Sequence, residues 1–184
     1  MPIKKITKEE IVMKSLEVFA QKGYHQTSMS DLAEACGLLK GSFYHHFESK
    51  EELMQEVLLN VRKYFREKIF SIAFDESILP KERLAKIAQK QLKIVSKNTI
   101  GCFVGNTTLE TVQLHPNFKT HLQGFFTEWA EALAHIYESK YQTDYAFQLA
   151  WQTIMEVEGA MMMMKLWNDI KILEKTLERI LDRF

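Results

Sequence analysis

The chain has 184 residues and 46% hydrophobic content, enough for a substantial core, which excludes a disordered polymer. Lys+Arg and Asp+Glu balance at 24 each, so a generally basic nucleic-acid binder is excluded and any such binding needs a local patch. Three prolines and seven glycines leave long uninterrupted stretches, which favours an all-α fold. The opening MPIKKITKEE carries charge without a following apolar core, unlike a signal peptide. No apolar run approaches the roughly 18 residues of a membrane span, so no membrane partner is expected. Cys36 and Cys102 have neither metal nor redox spacing, which fits free thiols in the cytoplasm and calls for no cofactor.

In chain order, Thr7 and Glu10 make a capping box, and Ile11, Val12, Leu16, Phe19 and Ala20 follow at helical spacing up to Gly23. Ser28 and Asp31 form a second box, opening a two-turn helix with Met29, Leu32, Ala33 and Cys36 on one face. A short helix over Lys40–Phe47 comes next. Ser49 and Glu52 make a third box, opening a long helix expected to reach about Phe74. The pattern breaks at 75–80, and Pro80 suits the first turn of a helix to about Lys97. A turn is expected over Asn98–Cys102, a helix over Phe103–Gln113, a break at HPNF (115–118) and a helix to about Ser139. Thr143 or Asp144 should cap a helix ending near Asn168, with a last helix over Asp169–Asp182. The total is about nine helices.

Two short helices around a glycine turn, Ser28–Cys36 and Lys40–Phe47, match a helix-turn-helix, whose second helix enters the DNA major groove while the first braces it. On the second helix, Lys40, Gly41, Tyr44 and His45 share one face, and Phe43 and Phe47 share the opposite, inward face. Lys40 suits a phosphate or guanine edge, and Gly41 permits close approach of the backbone. Ser42, Tyr44 and His45 suit bases or phosphates. Lys50 opposes the dipole of its helix, which a phosphate contact would explain. Thr27 and Ser28 offer hydroxyls and N–H groups to another phosphate. His45 and His46 point to different helix faces and have no ligand partner at metal spacing.

The run FAQKGYHQTSMSDLAEACGLLKGSFYHHFESKEEL resembles the DNA-binding domain of the tetracycline-repressor (TetR) family, through F-x-x-x-G-Y, T-S-M-x-D-L-A, G-x-x-K-G-S-x-Y-x-H-F and S-K-E-E-L. The resemblance implies a three-helix DNA-binding domain over 1–48 and a larger helical effector-binding and dimerisation domain over 49–184. The partners it implies are a double-stranded DNA operator, a small-molecule effector and a second copy of the chain, paired through roughly 144–182. Leu39 departs from the family, which commonly places serine or threonine there as the helix cap. Leu39 therefore either packs inward with the cap forgone, or the helix starts elsewhere.

The C-terminal part offers Cys102, Phe103, Phe125, Trp129, Trp151 and Met155 as candidates to line an effector pocket, although aromatics and methionines at helical spacing are mostly core. The run G-C-x-x-x-N-x-x-x-E resembles the N-ethylmaleimide-responsive subgroup of the family, and a thiol at a helix N-terminus is a candidate sensor of electrophiles. An inert core thiol is the alternative.

Residues 1–50 carry seven lysines against six acids, a balance of +1. One such domain should bind DNA weakly and with strong salt dependence, so a dimer on a palindromic operator follows. The expected function is a ligand-responsive repressor, not an enzyme, with the helix after residue 49 as the lever. A helical enzyme using Cys102, His115 or Glu110 lacks any motif that ties a nucleophile to a base. A protein-interaction module fits the polar, cationic outward face poorly. If the missing cap at Leu39 costs about 1 kcal/mol, Leu39→Ser should raise thermal stability or DNA affinity. Unchanged melting and unchanged binding would show that the helix is capped by other means.

Overall fold

The computed structural model describes residues 6–97 and 101–184. Among them are nine α-helices, one 3₁₀ turn and no strand. They are α1 Lys8–Lys22, α2 Met29–Ala35, α3 Lys40–Tyr44, α4 Lys50–Lys68, α5 Pro80–Lys97, α6 Phe103–Thr111, α7 Pro116–Tyr137, α8 Thr143–Trp167 and α9 Lys171–Arg183, with the 3₁₀ turn at Phe70–Phe74. Two compact units result: Met1–Arg62 with Asn106–Leu122, and Lys63–Gly105 with Gln123–Phe184.

Local chemistry sets the start of the first unit. Of the three expected capping boxes, the one at Ser49 forms by half: its hydroxyl accepts from Glu52 N at 3.0 Å, but the Glu52 carboxylate accepts from Glu48 N at 2.8 Å. The other two form in full, the Thr7 hydroxyl accepting from Glu10 N at 3.1 Å and the Ser28 hydroxyl from Asp31 N at 3.2 Å. In each, the carboxylate answers back to the N-cap N–H at 2.8 Å. The Asp31 carboxyl is held well below the usual carboxylate range, chiefly by its bond to Lys22 and then by Ser28. Gly23 ends α1 at φ +79°, as its place after the last periodic residue implies. α1 packs on α2 and α2 on α3. Ile11, Phe19, Leu32, Phe43, Phe47, Leu53 and Met54 are among the buried residues of this unit.

In the second unit α8 packs on α9, and α5 packs on the 3₁₀ turn and on α9. Arg83 is buried and donates to the Ala73 carbonyl at 2.6 Å, which pins the 3₁₀ turn to α5. Glu156 on α8 accepts two bonds of 2.9 Å from Arg183 and one of 3.1 Å from Arg179, a charged clasp between α8 and α9. Leu173, Leu177 and Ile180 are the buried stripe of α9.

Several boundaries differ from expectation. α3 stops at Tyr44, because the N–H groups of His45 and His46 turn back to carbonyls only three residues earlier. The long helix ends at Lys68 and tightens into the 3₁₀ turn instead of continuing to Phe74. The break expected at 115–118 falls at 112–115 instead, and Pro116 opens α7, the position where its missing N–H costs nothing. Gln142, not Thr143 or Asp144, stands at the N-cap of α8, without a side-chain bond. Of the turn expected at Asn98–Cys102, residues 98–100 lie outside the described residues, and Gly101 has φ +80°.

Candidate nucleic-acid interface

Phe43 and Phe47 are 0% and 1% exposed, with ring centroids 6.4 Å apart. They fix the rotation of α3 about its axis, so Lys40, Gly41, Ser42, Tyr44 and His45 all face solvent. His46 lies half-buried at the edge. A Cβ placed on Gly41 would meet nothing within 4 Å. The fold itself does not require glycine there, although glycine in a helix costs about 1 kcal/mol against alanine.

Leu39 occupies the N-cap of α3 with no side-chain bond, and its side chain is 80% exposed. The helix starts where the sequence indicates, the cap is forgone, and leucine does not pack inward.

Charge is allocated sharply in this unit. Lys22 pairs with Asp31 at 2.7 Å and Lys14 donates to the Ala35 carbonyl at 3.2 Å. Lys8 lies 3.9 Å from Glu56 and 4.8 Å from the centre of the Phe47 ring. Lys40 is the lysine among residues 6–50 that makes no such internal contact, so it is the cation α3 offers outward.

Two residues assigned to phosphate contact are used elsewhere. Thr27 is buried, and its hydroxyl donates to the Gly23 carbonyl at 2.6 Å. Lys50 donates to the carbonyls of Tyr24 at 2.7 Å and Thr27 at 2.8 Å, and its ammonium sits 4.3 Å from the centre of the Tyr24 ring. Burial draws the Lys50 pKa below its ordinary value against the opposing pull of Glu110. The two carbonyls offset its unfavourable place in the first turn of α4 within the chain itself. Ser28 remains exposed, though its hydroxyl also donates to Asp31 at 2.6 Å.

The sequence did not reveal the other half of this support. The Glu110 carboxylate on α6 accepts from Tyr24 N at 2.8 Å and His25 N at 3.3 Å, and the Glu110 carbonyl meets His25 Nε2 at 3.0 Å. A Cβ on Gly23 would fall 2.5 Å from the same carboxylate, so a side chain there would push Glu110 off these N–H groups as well as strain the backbone at φ +79°. Tyr24 is flanked by His115 and Phe118 at 4.8 and 5.2 Å, and burial followed by the charge of Glu51 raises its pKa to about 12. Glu110 and His115 are therefore parts of the scaffold around the α1–α2 turn.

Of the six candidate effector residues, Trp129 lines a cavity. Phe125 and Trp129 are core, in an aromatic group with Phe65, Phe70 and Phe126. Phe103 and Trp151 are half-buried, and Met155 is 65% exposed. A cavity of about 10 Å³ is lined by Trp129 with Leu84, Ile87, Gln91, Thr153 and Val157 among others. Cys102 does cap α6, its sulfur accepting from Gly105 N at 3.2 Å. Burial, and next the neighbouring Glu158, push its thiol well above the ordinary range, the direction of an inert thiol and not of an activated one. Among the described residues no cluster of three His, Cys, Asp or Glu can hold a metal, and no helix is long and apolar enough to cross a membrane.

A short helix held on two phenylalanines, with a polar outward face and a bracing helix behind it, defines a helix-turn-helix DNA-binding protein. Comparison with known proteins agrees. Residues 11–57 match the family described as "Bacterial regulatory proteins, tetR family", and residues 80–179 match "Transcriptional regulator LmrA/YxaF-like, C-terminal domain". The HTH-type transcriptional repressor DhaR of Mycobacterium sp. (strain GP1) is 31% identical over 124 residues, which are 67% of this chain and 62% of that protein. A TetR transcriptional regulator from Legionella pneumophila superposes over 100% of both chains, with a TM-score of 0.89 and 25% identity. Reduced NemR of E. coli shares the fold over 94% of each chain, with a TM-score of 0.81 at 19% identity. The chain belongs to the TetR family and is a DNA-binding transcriptional regulator.

Two measurements check the roles revised above. Lys50→Met should lower stability to urea by about 1–2 kcal/mol, by leaving two carbonyls without their donor. It should leave the salt dependence of DNA binding unchanged, whereas a lost phosphate contact would reduce the slope by about 1. Cys102 should react with iodoacetamide at neutral pH more slowly than free cysteine, and unfolding should restore the ordinary rate.

Proposed function

We propose that the chain is a homodimeric repressor that binds a palindromic operator in the cytoplasm and is released by a small molecule. The observation that carries this reading is the outward face of α3, polar and cationic over a pair of buried phenylalanines. In this reading residues 1–48 bind DNA, and residues 49–184 bind the effector and pair the two copies. Lys40, Gly41, Ser42, Tyr44, His45 and Ser28 meet the operator, while Thr27 and Lys50 hold the helices that present them.

The case for a dimer is electrostatic and apolar. One nearly neutral domain binds weakly, and joining two makes the second half-site an intramolecular event. α8 exposes Phe147, Met155, Met162 and Leu166 at helical spacing, with Trp151 and Gly159 half-buried along the same line. A second copy over 144–182 would cover that stripe.

The effector acts through differential affinity for two states. The cavity beside Trp129 has room for about one water, so a larger molecule has to open it. That requirement makes binding and a change of shape one event. The mostly apolar lining suits a small, weakly polar molecule. The raised thiol pKa at Cys102 favours such a molecule over an electrophile.

A gel shift with DNA from beside the gene tests the reading, and no sequence-specific shift at moderate salt would reject it. Tyr44 is 42% exposed, so Tyr44→Ala should leave the fold intact. The same substitution should weaken specific binding about tenfold or more, the cost of one lost base contact.

A further inference from the structure

We propose that Leu39 reads the 5-methyl group of a thymine in the major groove, once in each operator half-site. The inference rests on the reading that α3 enters that groove.

Leu39 is 80% exposed, and among the large apolar side chains described only Leu109 is more so. It stands at the N-cap of α3 in an extended conformation, φ −67° and ψ 143°, where a hydroxyl would serve the helix and leucine makes no cap bond. The residue thus neither caps nor packs. Gly41, two positions on, is equally unexplained by the interior, since a Cβ there meets nothing within 4 Å. Two neighbouring positions break local rules without any return inside the protein. Such places are where a fold serves something outside itself.

The chemistry of the groove supplies what they serve. The first residues of a recognition helix are the ones that reach base edges. In the major groove, thymine differs from cytosine by an acceptor and a methyl, and an apolar side chain is the group that detects the methyl. Leu39 offers an aliphatic tip at that end of α3, and the bare backbone at Gly41 lets the groove come close enough to touch it. Lys40, Ser42, Tyr44 and His45 are the polar contacts around it.

The test uses the full chain and a duplex that it enriches from a random-sequence library. Each thymine is replaced in turn by deoxyuridine, which removes only the methyl. One symmetry-related pair of thymines is expected to show weakening of about fourfold per methyl, the effect of leaving one buried carbon group exposed. Leu39→Ala and Leu39→Ser should each bind the thymine and deoxyuridine duplexes equally at that pair, whereas Tyr44→Phe should keep the difference. A methyl dependence that survives in both Leu39 variants, or none in the unaltered protein, overturns the assignment and leaves DNA binding standing. If no duplex is enriched at moderate salt, the DNA-binding reading falls and the assignment falls with it.

Discussion

The backbone between Gly23 and Thr27 has polar groups that no helix satisfies, and the DNA-binding unit depends on how they are met. Lys50 supplies donors to two of its carbonyls, and Glu110 accepts from two of its N–H groups. The Thr27 hydroxyl takes the Gly23 carbonyl. A buried backbone group left without a partner costs about 1–3 kcal/mol. Several such groups sit side by side here, so a large part of a small unit's stability is at stake. The turn they fix sets where α2 begins, and α2 carries α3.

Neither α2 nor α3 is stable by itself. They have seven and five residues, well under the roughly 12–15 at which an isolated helix becomes marginal. Their order is borrowed from the capping box at Ser28, the ion pair between Lys22 and Asp31, and the burial of Leu32, Phe43 and Phe47. This explains how α3 can carry an uncapped start and a glycine. The two phenylalanines hold the helix in place, so its local propensity can be given over to the outward face.

The sequence showed those features whose causes are local. The boxes at Thr7 and Ser28, the stop at Gly23 and the inward turn of Phe43 and Phe47 each depend on residues a few positions apart. The length of α3 was overestimated, because a tightening last turn leaves no mark in the pattern. The internal bonds of Thr27 and Lys50 were not legible for a different reason. Lys50 is a lysine at the start of a helix, and a phosphate explains that as well as two carbonyls do. The distinction lies in the carbonyls of residues 24 and 27, more than twenty positions away. Glu110 is 86 residues from the N–H it binds, and no spacing rule reaches that far. The same holds for the effector candidates. Trp151 and Met155 lie one turn apart on α8, on the side that faces away from the cavity residues Thr153 and Val157.

That division of α8 orders the second unit. Thr153, Ile154, Val157, Met161 and Met164 face the interior, and Thr153 is tied to the buried Tyr137 hydroxyl at 2.9 Å. The Glu156 clasp to Arg179 and Arg183 fixes α9 beside it. Once α9 and the core have taken one side, the line from Phe147 to Leu166 stays exposed among the described residues. An isolated chain would leave four large apolar groups of one helix in water, at about 25 cal/mol for each Å² of apolar surface. Covering that line with a second copy, as proposed above, would remove the cost. On the proposed dimer, the exposed face of α8 and the weak charge of the DNA-binding unit would be two sides of one arrangement, since a half-site reader with one outward lysine on its recognition helix gains affinity when a second copy is attached.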